Sequence, residues 1–170
     1  ANRAYIYGRL SRAYRRDGKF VESLTYAEKA IQEYSSAEYY FLRGLAFREL
    51  VSWKHALRDI TKAIVLEKKN SLGGNEKLTD YYFGRAITLF EMGHDDDAGK
   101  DIRKVLHYGE AKKDDYLRDV VRIYEELADH TEEIDKKNKY KLLAIKYQIQ
   151  IATAGPLEKV AKWFKKIWSK

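Results

Sequence analysis

Residues 37–70 read AEYYFLRGLAFRELVSWKHALRDITKAIVLEKKN. Apolar residues recur here at three- and four-residue steps, broken near Val51-Ser52-Trp53, which predicts two short amphipathic helices joined by a turn. Small residues stand where two helices have to touch: Gly44, Ala46, Ala56 and Ala63. Large ones stand where the gap has to be filled: Tyr40, Phe47, Trp53, Ile60 and Ile64. The pattern recurs on both sides of this stretch, so the chain is expected to be an all-α array of helical hairpins.

On the N-terminal side, Tyr7, Leu10 and Tyr14 share a face of a first helix that Arg16-Asp17-Gly18 ends. Phe20, Leu24, Ala27, Ala30 and Ile31 form the stripe of a second helix, and Ser36 is placed to cap the third. On the C-terminal side, Lys68–Leu78 is polar and glycine-containing and reads as a loop, with Thr79 or Asp80 capping helix five. Met92-Gly93-His94 breaks that helix. Asp95, Asp96 and Asp97 then open helix six, where carboxylates suit the positive end of the helix dipole. From Asp114 a looser pattern (Leu117, Val120, Val121, Tyr124) leads into a final long helix carrying Tyr140, Leu143, Ala144, Tyr147 and Ile151. Thr153-Ala154-Gly155-Pro156 stops it, which divides the chain into residues 1–153 and a basic amphipathic helix over 154–170.

The 170 residues contain no cysteine, which excludes disulfides and thiolate metal sites. No apolar run approaches the roughly 18 residues of a membrane span, and no leader is visible. A reducing compartment fits, and a cytoplasmic location is favoured. The net charge of +7 is concentrated at the ends. Residues 1–21 hold six cations against Asp17, a net +5, and residues 157–170 hold five lysines against Glu158, a net +4, which leaves −2 for everything between. Two basic ends on a near-neutral body suggest two local surfaces; a long phosphate track would need more, which argues against nucleic acid as a partner.

The turns lie in register. Gly18-x-Phe20-x-x-Ser23 corresponds to Val51-x-Trp53-x-x-Ala56 after 33 residues, and to Gly93-x-Asp95-x-x-Ala98 after a further 42. Together with Tyr7, Tyr40 and Tyr82 in the first helix of each unit, this resembles the tetratricopeptide repeat (TPR), a helix-turn-helix unit of about 34 residues. The chain departs from that pattern where Val51 replaces a turn glycine and Asp95 a turn aromatic, and no repeat has the terminal proline. The resemblance implies three clear repeats, a degenerate fourth helix pair and a C-terminal helix. It also implies that the first helix of each repeat lines a concave groove.

Transferred by register, the resemblance makes Tyr5, Arg9, Arg12, Arg16, Phe41, Leu45, Arg48, Phe83, Ile87 and Phe90 the candidate partner-binding residues, with Gly8, Arg15 and Gly84 among them on that face. If exposed, the aromatic and aliphatic members would form an apolar floor beside an arginine wall. The alternative is ordinary burial. Members of the family that clamp the carboxylate tail of heat-shock chaperones use lysine, asparagine and arginine at positions held here by Gly8, Arg12, Leu42, Asp80 and Gly84. Only Arg12 keeps a charge of the right sign, so that specialised role is disfavoured and an apolar or amphipathic helical ligand fits better. The resemblance therefore implies a non-catalytic adaptor or scaffold that binds a protein or peptide ligand.

The last helix offers a second surface: Leu157, Val160, Trp163, Phe164, Ile167 and Trp168 face one way and lysines the other. At about 20 Å it is too short to span a bilayer. It is expected to cap the fold, to dock on a partner or a second copy of the chain, or to lie on a membrane surface. His55, His94, His107 and His130 are scattered outside any metal-ligand motif, and Gly73-Gly74 lacks the following lysine of a phosphate loop. No cofactor, metal or catalytic group is expected.

Overall fold

The computed structural model describes residues 2–70, 75–109 and 113–153. These form eight α-helices: α1 (Asn2–Arg16), α2 (Phe20–Glu33), α3 (Ala37–Glu49), α4 (Trp53–Lys69), α5 (Asn75–Glu91), α6 (Asp95–Tyr108), α7 (Lys113–Asp129) and α8 (Ile134–Thr153). Four antiparallel hairpins result, α1–α2, α3–α4, α5–α6 and α7–α8. The chain divides into two compact units, Ala1–Tyr108 and Gly109–Lys170. The C-terminal helix read from Leu157, Val160, Trp163, Phe164, Ile167 and Trp168 lies outside the described residues.

In the first unit three hairpins stack, each second helix packing on the first helix of the next. The helix crossings are made by small residues at corresponding positions. Ser11 faces Ser23 in the first hairpin, donating from Oγ to the Ser23 carbonyl at 2.9 Å. In the second, a Cβ built on Gly44 would lie 2.7 Å from Ile60 and 3.3 Å from the Ala56 carbonyl, so nothing larger than hydrogen fits there without displacement. The core of this unit includes Ala27, Ala30, Ala46, Ala56, Ile60, Ala63, Tyr82, Ile102 and Val105.

All three turns are built alike. Lys19, Ser52 and His94 donate from their backbone N–H to the carbonyls of Tyr14, Phe47 and Leu89, at 2.8, 2.8 and 2.9 Å. The residue before each donates to the carbonyl three back: Gly18 to Arg15, Val51 to Arg48, Gly93 to Phe90. This is the Schellman closure, which requires a left-handed residue after the helix. Gly18 and Gly93 take it at φ +73° and +75°, and Val51 takes it at +58°. Val51 is the sole non-glycine residue with positive φ among those described. Ser36 caps α3 as its position predicts, its side chain accepting from the Tyr39 N–H.

The loop read over Lys68–Leu78 is shorter at both ends, since α4 runs on to Lys69. Helix α5 starts at Asn75, so Thr79 and Asp80 lie inside it and neither is the cap. Leu78 and Thr79 are buried, which gives this additional turn of helix a tertiary contact that its polar composition does not disclose.

The second unit is built on the α7–α8 pair. Leu117, Val120, Val121, Tyr124 and Ala128 face Tyr140, Ala144 and Tyr147 as its buried residues, with Tyr124 and Tyr147 stacked at 5.8 Å. Helix α8 also leaves Leu142, Ile145 and Ile149 exposed along a second stripe.

Candidate functional site

The first helices of the three stacked hairpins meet side by side: α1 touches α3 and α3 touches α5. Two glycines set that approach. The Tyr39 ring covers Gly8, where a Cβ would come within 2.7 Å of it. The Phe41 ring covers Gly84 at 2.8 Å in the same sense. Gly8 and Gly84, assigned by register to the ligand-facing surface, are instead buried spacers that let neighbouring helices close up.

The cleft that these helices leave has a volume of about 190 Å³ and is lined by Arg12, Arg15 and Arg16 of α1, Glu38, Phe41, Leu42 and Leu45 of α3, and Lys77, Asp80 and Tyr81 of α5. Phe41 leans on the Tyr81 ring with centroids 4.6 Å apart. Burial pushes the Tyr81 phenol well above its ordinary range, and the carboxylates of Glu67 and Glu38 add to the effect.

The candidate apolar floor is therefore graded. Phe41, Phe83 and Ile87 are half-buried, whereas Leu45 and Phe90 are 8% and 6% exposed and belong to the core. Tyr5 stands out at 59% exposure, and Arg9 is exposed beside it.

The arginine wall is partly neutralised by α3. Arg12 Nη2 donates to Glu38 Oε1 at 2.6 Å. Arg48 bonds Glu49 at 3.1 Å, and Arg15 approaches the same Glu49 at 3.9 Å. Among the described residues Arg9 and Arg16 have no ion-pair partner. Burial holds the Arg15 guanidinium below its usual pKa, opposed in part by Glu49 and reinforced by Arg48, Arg16 and Arg12. No group of three or more His, Asp or Glu side chains among the described residues is placed to hold a metal ion. None of the described helices is long and apolar enough to cross a membrane.

A pair of bridges went unread in the sequence. Arg43 Nε and Nη2 grip both oxygens of Asp59, at 2.5 and 3.1 Å, across the α3–α4 hairpin. Arg85 grips Asp101 the same way across α5–α6, at 2.6 and 2.8 Å, and also reaches Thr61 Oγ1 of α4 at 3.4 Å. Both pairs are separated by 16 residues, and that shared spacing was the available signal. In the first hairpin the corresponding positions hold Leu10 and Tyr26, and there Tyr26 stacks on Tyr14 at 5.2 Å with near-parallel rings. These bridges tie α3 to α4 and α5 to α6, and none of their four residues lines the cleft.

No family model matches the chain. No curated protein matches it either. Among solved structures it is similar to that titled "Crystal structure of MamA", with a TM-score of 0.60 at 19% identity, over 89% of this chain and 82% of that one. At that identity the likeness speaks for the fold alone: an all-α, TPR-like array of helical hairpins.

Proposed function

We propose that the chain is a non-catalytic protein-interaction module, an adaptor or scaffold, that takes a partner peptide or helix in the cleft of α1, α3 and α5. The observation that carries this reading is the cleft's mixed chemistry. A half-buried Phe41 and the Tyr81 ring stand beside Arg12, Arg15 and Arg16 on three helices that lie side by side. Apolar side chains that stay accessible next to unspent charge are characteristic of a ligand surface. Helical scaffolds recognise peptides by laying an apolar face into such a groove. Of the candidate residues, Arg12, Arg16 and Phe41 line the cleft itself, and Tyr5, Arg9, Arg48, Phe83 and Ile87 extend the same reading along the flanking helix faces. Leu45 also lines the cleft although it is almost fully buried, and Phe90 belongs to the core.

The test is a selection of phage-displayed random dodecapeptides on the intact chain. Enriched peptides should compete with one another and lose binding to Phe41→Ala and to Phe83→Ala, with thermal unfolding followed to show that each variant is folded. Binding indifferent to both substitutions sinks the groove reading.

A second reading, attachment to a membrane surface, is favoured by the basic amphipathic sequence over 157–170. Co-sedimentation with anionic vesicles, comparing the intact chain with one ending at Gly155, separates the two. Loss of sedimentation on truncation supports attachment, and no sedimentation of the intact chain removes it.

A further inference from the structure

Arg15 lines the cleft from α1, and its charge is only loosely paired there. Its Nε is buried with no hydrogen-bond partner. Its Nη1 lies 3.9 Å from Glu49, beyond hydrogen-bond distance, and Glu49 is already bonded by Arg48. An arginine presents five donors in a fixed fork, and with a third of the side chain exposed it is the Nη groups that a ligand can reach. The lining as a whole carries Arg12, Arg15, Arg16 and Lys77 against Glu38 and Asp80, a surplus of two cations. Glu38 is engaged by Arg12 at 2.6 Å, so it does not serve Arg15.

We propose that the cleft accepts the carboxylate of an internal aspartate or glutamate in an acidic partner peptide, with Arg15 as the residue that selects for it and Phe41 holding the neighbouring apolar side chain. This rests on the groove reading above and adds the ligand's chemistry. Charge complementarity excludes a basic occupant, and the chain's own segment 157–170, with five lysines against Glu158, carries the wrong sign. The size of the cleft, about 190 Å³, suits one or two side chains and no extended polyanion. The guanidinium fork matches a carboxylate in two parallel hydrogen bonds, which gives orientation as well as attraction.

The experiment uses the enriched dodecapeptides, synthesised with each acidic residue in turn replaced by its amide. Affinity is measured for the intact chain and its Arg15→Gln, Arg15→Lys and Lys62→Gln variants. Lys62 is exposed on α4, away from the cleft, and matches the change in charge. One glutamate-to-glutamine change in the peptide should weaken binding about tenfold, which is 1.4 kcal/mol. Arg15→Gln should erase that difference, Arg15→Lys should restore only part of it because it lacks the fork, and Lys62→Gln should leave it intact. A difference that survives in Arg15→Gln overturns the proposal, as do enriched peptides without acidic residues. Tighter binding of a phosphoserine peptide than of its glutamate counterpart replaces the carboxylate with a phosphate and overturns it too. Binding that needs Phe41 and ignores peptide charge leaves the groove reading standing and removes only this inference. Binding that ignores Phe41, or no enrichment at all, removes both.

Discussion

Val51 occupies a backbone conformation that its side chain opposes. At φ +58° it closes the α3–α4 turn in the same hydrogen-bonded frame that Gly18 and Gly93 close in theirs. A left-handed residue with a Cβ costs about 1–2 kcal/mol, and branching at Cβ places valine toward the upper end. Val51 is 66% exposed, so removing its side chain forfeits little burial. Glycine loses an additional 0.5–1 kcal/mol of chain entropy on folding. The difference predicts that Val51→Gly stabilises the protein by about 1 kcal/mol, on the order of 2–4 °C in a chain of this size.

The reverse substitutions complete the test. A Cβ at Gly18 or Gly93 meets nothing within 4 Å, so the cost of filling either is conformational and not steric. Gly93→Val should therefore destabilise by about the amount that Val51→Gly gains. Urea unfolding followed by far-ultraviolet circular dichroism reads both. If Val51→Gly is neutral or destabilising while Gly93→Val is tolerated, backbone conformation does not set the energy of these turns and the reasoning fails.

Four further outcomes follow from the packing and charge of the first unit. Asp59→Leu should cost about 3 kcal/mol by stranding the Arg43 guanidinium, whereas Asp59→Leu combined with Arg43→Leu should cost clearly less, because an apolar pair can replace a buried ion pair as Leu10 and Tyr26 do in the first hairpin; urea-unfolding midpoints decide it. Gly44→Ala should lose about 1–2 kcal/mol despite alanine's better helix propensity, since Ile60 is fully buried and the Ala56 carbonyl is backbone, and Gly84→Ala should lose less because the phenyl edge of Phe41 can swing away. Tyr81 keeps its proton in the folded state to higher pH than the 10.0 of a free phenol, so the unfolded chain releases a proton that the native one retains and stability falls as pH rises above about 10; Tyr81→Phe should flatten that fall in alkaline unfolding curves. Glu38→Gln frees Arg12, and acidic peptides should then bind up to about fivefold more tightly by titration calorimetry, the gain expected from releasing an exposed ion pair.

Helix positions were legible in the sequence because local chemistry marks them. Ser36 caps α3, Gly18 and Gly93 end α1 and α5, and three aspartates open α6, each acting within its own turn of chain. The small residues at helix crossings were legible for a similar reason, since Ser23, Ala56 and Ala98 recur at the repeat spacing. What escaped depends on contacts between hairpins. The start of α5 reads as loop from Asn75 to Leu78, and only the burial of Leu78 and Thr79 makes it helix. Gly8 and Gly84 read as groove-facing by register, yet rings from the adjacent helix, Tyr39 and Phe41, close over them. Register specifies which side of a helix a residue is on. It does not specify how close the next helix comes, and glycine at those two positions is what permits the approach.

That close approach bears on how the cleft would work. Because α1 and α3 nearly touch at Gly8, the long side chains of Arg12 and Arg15 reach across to Glu38 and Glu49 of α3. The Arg12–Glu38 pair is about half exposed on both sides, and such pairs contribute only 0–1 kcal/mol, so exchanging Glu38 for a ligand carboxylate is close to neutral. Arg12 therefore adds ionic-strength dependence and little affinity. Arg15 is different, because it is the more buried of the two and its carboxylate neighbour, Glu49, lies 3.9 Å away, beyond hydrogen-bond distance. A carboxylate that reaches its exposed Nη groups meets a cation whose Glu49 contact is too long to be a hydrogen bond, so it gains a bond without displacing that one. Selectivity in this cleft is therefore expected to reside in the least exposed of its arginines, with Arg9, Arg12 and Arg16 setting the long-range field that brings an acidic segment to it.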